Sequence, residues 1–126
     1  MKKATLKDLI AKQLQKENNK DKTYEIPVKS MGKSLIFKRP SDELKLDLID
    51  EIGDGKNIRN VIAVYKKLIY LTCDLLQNTE LHEELGVVDP FDTVDKIFDL
   101  DDLMNIGEQL MDAMDTGSVG EDIKNS

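Results

Sequence analysis

The chain has 126 residues, with 25 acidic and 18 basic side chains, a net charge of -7, one Cys and no Trp. That length holds about one domain and excludes a multidomain machine. Its 37 Leu, Ile, Val and Phe residues place it above the roughly 20% content at which highly charged chains stay disordered, so a small, well-solvated core can form without disulfides or metals.

Thr5, with Asp8 three residues on, resembles a capping box, and Leu6, Leu9, Ile10 and Leu14 follow at helical spacing between lysines. A first helix is expected over about 5–17 on a basic arm, residues 1–22. Its apolar stripe is narrow, which makes these four residues candidate contacts for a partner. Tyr24-Glu25-Ile26-Pro27-Val28 alternates apolar and polar residues, and Ser34 to Arg39 is a second β-compatible run. Gly32 stands between them where a turn needs positive φ, so a hairpin is predicted, with Pro27 on an edge strand.

Ser41 caps the next predicted helix, Asp42 and Glu43 complement its positive end, and Leu44, Leu48, Ile49 and Ile52 form its buried stripe before Gly53. Asn57 caps a helix over about 58–75 that is apolar on more than one face, which predicts a central position. Short helices follow, one over 80–85 closed by Gly86 and one opened by Asp89-Pro90 with Val94, Ile97 and Phe98 inward. A last helix spans about 101–114. The aperiodic run over 115–126 reads as a mobile tail. The expected fold class is α+β, predominantly α: an N-terminal helix and a β-hairpin followed by a compact bundle of about five helices, with residues 23–114 as one domain.

The familiar chemical signatures fail. Gly32-Lys33-Ser34 ends like a phosphate loop, but Pro27 stands where its first Gly is needed and a strand follows. Asp99, Asp101 and Asp102 suggest a calcium loop, yet Leu103, Met104 and Leu110 occupy positions that need an oxygen ligand, a Gly and a Glu. His82 lacks a second imidazole or thiolate and reads as a surface residue, while Cys73 falls on the apolar face of the central helix as an inert thiol. The reading is therefore non-enzymatic, with no metal and no cofactor. No stretch approaches the roughly 18 apolar residues of a membrane span, no signal-peptide block follows the basic start, and a lone Cys agrees with a reducing cytoplasm.

Charge is unevenly placed: residues 1–40 carry 11 Lys or Arg against 4 Asp or Glu, and residues 41–126 carry 7 against 21. A basic head can bind nucleic acid, but Arg, the side chain suited to bidentate phosphate contacts, occurs only at 39 and 59. On the final helix Leu103, Ile106, Leu110 and Met114 form one stripe, with Met104, Gly107 and Met111 beside it. Two readings stand: the helix closes the core, or its methionines form a groove that adapts to a helical partner. On the second reading Leu103, Ile106, Leu110, Met111 and Met114 join the first-helix stripe as partner contacts.

Several segments together resemble a known family. Gly32-Lys33-Ser34-Leu35-Ile36-Phe37-Lys38-Arg39-Pro40-Ser41, Ile49-Asp50-Glu51-Ile52-Gly53, Tyr65-Lys66-Lys67-Leu68-Ile69-Tyr70, Glu80-Leu81-His82-Glu83-Glu84-Leu85-Gly86-Val87, Asp89-Pro90-Phe91-Asp92 and Ile106-Gly107-Glu108 are similar in order and spacing to the small tail assembly chaperones of Gram-positive tailed phages and prophages. The likeness runs from about residue 4 to 114. It implies a non-catalytic protein of the bacterial host cytoplasm that binds the long helical tape-measure protein, keeps it soluble until the tail tube polymerises, and is absent from the finished virion. A longer frameshifted form of the same chain often accompanies the short one in that family. The competing readings are a nucleic-acid-binding phage regulator that uses the Lys-rich N-terminus, and a structural tail component.

Overall fold

Alternation decides the hairpin. In the computed structural model, which describes residues 2–114, β1 (Thr23–Val28) pairs antiparallel with β2 (Lys33–Lys38), with Tyr24 opposite Phe37 and Ile26 opposite Leu35. Tyr24, Ile26, Val28, Leu35 and Phe37 are buried, as the period of two requires for one covered face. Gly32 closes the connection at φ +64, and its N–H donates to the Val28 carbonyl at 3.1 Å. The expected tail, 115–126, lies outside the described residues.

Among the described residues one helix precedes the hairpin, α1 (Leu6–Asn19), and five follow it: α2 (Asp42–Ile52), α3 (Ile58–Thr72), α4 (Thr79–Leu85), α5 (Asp92–Ile97) and α6 (Leu100–Ala113). The fold is mostly helical with one two-stranded hairpin, as expected. Side-chain caps start the longer helices where short polar residues precede an apolar run. The Ser41 hydroxyl accepts from Leu44 N–H at 3.1 Å, and the Asn57 side chain accepts from the N–H groups of Arg59 and Asn60. Asp99 and Asp102 exchange side-chain and backbone bonds in a capping box.

The core is one cluster, with α3 at its centre against α2, α5 and α6 while α6 also covers the inner face of the hairpin. Phe37, Leu68, Ile69, Ile106 and Leu110 are among the largest fully buried side chains, each contributing about 1.5–3 kcal/mol by leaving water. Two ion pairs brace α3 from outside, Lys67 to Glu51 on α2 and Lys66 to Asp95 on α5 at 2.8 Å. Both are partly exposed, so they are worth less than about 1 kcal/mol each.

Three expectations need correction. The central helix ends at Thr72 rather than 75, because Cys73 is extended and a 3-10 turn follows over Asp74–Gln77. The turn brings Gln77 back so that its Nε2 donates to the carbonyls of Tyr70 at 2.9 Å and Leu71 at 3.2 Å, which satisfies acceptors the helix end leaves open. Ile49 and Ile97, expected inward, are exposed: Leu48 alone is buried on α2, and Val94 and Phe98 are enough to seat the short α5. His82 is half-buried rather than superficial. Its Nε2 lies 2.7 Å from the Leu76 carbonyl and its ring stacks on Tyr70 at 6.2 Å; a carbonyl only accepts, so this nitrogen carries the proton.

Candidate partner-binding surface

The start of α1 is fixed locally. Asp8 N–H donates to the Thr5 hydroxyl at 3.3 Å, while the Asp8 carboxylate accepts from Thr5 N–H at 2.8 Å. This is the capping box expected from Thr5 and Asp8. The backbone bond first, and the Thr5 hydroxyl second, hold the Asp8 carboxyl below its ordinary 3.8. At the other end Arg39 N–H donates to the Lys22 carbonyl at 3.1 Å, which ties the base of the arm to the end of β2.

Between these anchors no residue of α1 is buried. Leu6 is 76% exposed, Leu9 63%, Ile10 53% and Leu14 56%. Three of them, Leu6, Ile10 and Leu14, follow at spacings of four and lie along one side of the helix. The energetic meaning is direct: four aliphatic side chains ordered on a helix and left more than half exposed among the described residues are apolar area still available for burial. A second side of α1 borders a groove of about 820 Å³ lined by Leu9, Lys12, Lys16, Lys20, Arg39 and Pro40, among others. Four cations there meet two apolar side chains and the Asp42 carboxylate, and Lys20 is paired with Glu17 at 3.2 Å.

The α6 candidates fare differently. Leu103, Ile106, Leu110 and Met114 are all buried in the chain's own core, covered by α3 on one side and the hairpin on the other. The reading of this stripe as a partner groove is therefore revised to core closure. Met111 is half-buried at the margin of that core, where with Ile49, Ile52, Leu68 and Met114 it lines a small apolar cleft. Lys45 closes one side of the cleft by donating to the Met114 carbonyl at 3.4 Å.

Two surface features were missed by the linear reading. Arg39 joins the lysines of α1 only because the hairpin returns the chain to the helix base. Leu46 and Ile49 are more than half exposed on the outer side of α2 among Asp42, Glu43, Asp47 and Asp50. The spacing of three between Leu46 and Ile49, out of phase with Leu44, Leu48 and Ile52, was the available signal.

Among the described residues no group of three or more His, Cys, Asp or Glu is placed to hold a metal ion, and no helix is long and apolar enough to cross a membrane. Cys73 is fully buried, and burial pushes its thiol up despite backbone hydrogen bonds from Leu76 and Leu75 that pull it down. No protein-family model, curated protein or solved structure matches the chain.

Proposed function

We propose that this chain is a non-catalytic assembly chaperone that covers an apolar helical segment of a client protein with its N-terminal helix. The observation that carries the reading is the stripe of Leu6, Leu9, Ile10 and Leu14, capped and ordered yet exposed along its whole length. Helix-on-helix recognition uses anchors at such spacings, and the surrounding lysines keep the free stripe in solution. Following the resemblance, the client is a phage tape-measure protein, a longer frameshifted form of this chain is a further partner, and the encounter takes place in the host cytoplasm before the tail tube forms. Affinity is expected to be moderate, since tube contacts must displace the chaperone.

The test is co-expression of the full chain with fragments of the cognate tape-measure protein. The wild-type chain raises the soluble fraction of at least one fragment, and the triple variant Leu6→Ser, Ile10→Ser, Leu14→Ser does not. If no fragment responds to the wild-type chain, the reading fails.

A second reading has its own support in the groove where Lys12, Lys16, Lys20 and Arg39 converge. Four cations on one face suit a nucleic-acid backbone, and binding of that kind weakens steeply as salt rises. Gel shifts with duplex and single-stranded DNA at two salt concentrations separate it from the chaperone.

A further inference from the structure

Two exposed apolar stripes in this molecule have opposite electrostatic surroundings. On α1, Lys7 borders Leu6, Ile10 and Leu14, Glu17 at the end of the stripe is paired with Lys20 at 3.2 Å, and residues 1–22 carry seven Lys against three Asp or Glu. On α2, Leu46 and Ile49 are flanked by Asp42, Glu43, Asp47 and Asp50, and residues 42–52 carry five acidic side chains against one Lys. Within one chain the stripes do not cover each other, because all five apolar side chains remain more than half exposed. The base of α1, held by the Arg39 to Lys22 bond, turns the helix so that Leu9 and Lys16 face Pro40 and Asp42, while Leu6, Ile10 and Leu14 look outward.

We propose that a second copy of this chain occupies the stripe: the basic α1 of one molecule lies against the acidic outer face of α2 of the other, and the reverse contact forms at the same time. The elements match in length, 14 and 11 residues, or about 21 and 16 Å at 1.5 Å per residue. Each contact joins aliphatic side chains and brings opposite charge to the borders, so burial and Coulomb attraction favour the same partner. A reciprocal exchange closes under two-fold symmetry and leaves neither stripe open for further growth. The inference stands apart from the chaperone reading: it needs no client, and the exchange masks the arm whenever none is bound.

The experiment is light scattering on the purified full chain, at about 50 μM and in about 0.05 M or 0.5 M salt, where the screening length falls several-fold. The wild-type chain has twice the monomer mass at low salt and shifts toward the monomer at high salt. The variant Lys3→Glu, Lys7→Glu and the variant Asp47→Lys, Asp50→Lys are each monomeric at low salt, because each sets like charges against one another in both contacts. Mixing the two restores the doubled mass, since both contacts of the mixed pair are again complementary. All four substitutions fall at exposed positions, and circular dichroism confirms that each variant keeps its helices. A monomeric wild-type chain at low salt, a doubled mass that persists in either variant alone, or a mixture that stays monomeric overturns the proposal. No client is present in any arm, so these outcomes leave the co-expression test to be decided separately.

Discussion

Gly107 lies so close to Tyr65 that a Cβ built at position 107 would fall 2.4 Å from Cγ and Cδ2 of the ring. Here the Tyr65 ring of α3 packs directly on the backbone of α6, and that residue is nearly fully buried, so the ring has little room to retreat. Gly107→Ala removes a helix-weakening residue, a gain of about 1 kcal/mol. The clash costs more, because overpacking a tight contact runs to about 1–3 kcal/mol and at 2.4 Å the upper end applies. The substitution therefore lowers the urea midpoint. Adding Tyr65→Leu recovers part of the loss, so the double mutant is more stable than the sum of the single effects predicts.

Thr93 points the other way. Its side chain is fully buried near the start of α5, and its hydroxyl oxygen has no hydrogen-bond partner among the described residues. A buried polar atom without a partner carries a desolvation cost of about 1–3 kcal/mol. Thr93→Val keeps the shape and removes the hydroxyl, and is expected to raise thermal stability. A lower melting temperature in that variant would show that the hydroxyl has a partner in solution.

Cys73 reports on opening of the core. The thiol is buried and held above its ordinary 9.0 chiefly by loss of solvent, so the folded state keeps the proton more tightly than the unfolded chain does. Stability contributed by this group is complete below pH 9.0 and falls as pH rises past it. Near neutral pH the thiol should react with an aromatic disulfide only as fast as the core opens. A rate equal to that of free cysteine would contradict the packing described above.

Asp8 sets an acid limit on the arm alone. Its folded pKa is depressed below 3.8, so the contribution to α1 is present above that value and disappears as pH falls through the folded pKa. Asp8 is fully exposed and touches no core residue, so the arm should fray in acid while the hairpin keeps its contacts. Amide exchange across residues 6–19 compared with 23–38 checks this; equal loss of protection in both segments would tie the arm to the core. Asp8→Asn should reproduce the fraying at neutral pH.

Much of this architecture was legible because its determinants are local. Thr5, Ser41 and Asn57 cap the helices they precede, Gly32 takes the positive φ of the turn, and alternation in the hairpin names its buried face. The more-than-one-sided apolar pattern of 58–72 identifies a central helix without any knowledge of its neighbours. What periodicity does not carry is the identity of the cover. The stripes of α1 and α6 look alike on a helical wheel, but the hairpin and α3 close over Leu103, Ile106 and Leu110, while among the described residues nothing closes over Leu6, Ile10 and Leu14. Ile49 illustrates the same limit inside one helix: it borders the buried side of α2, and only the placement of α3 decides that Leu48 is covered and Ile49 is not. The cationic groove depends on Arg39 meeting Lys12 and Lys16 across the hairpin, a meeting that no local pattern encodes.

Because α1 lends no buried side chain to the interior, its composition is unconstrained by the folding of the remainder. The arm is interchangeable in consequence: residues 6–19 could be exchanged for another capped amphipathic helix while the scaffold beneath keeps its melting point. Substitutions can accumulate along this helix without compensating changes elsewhere.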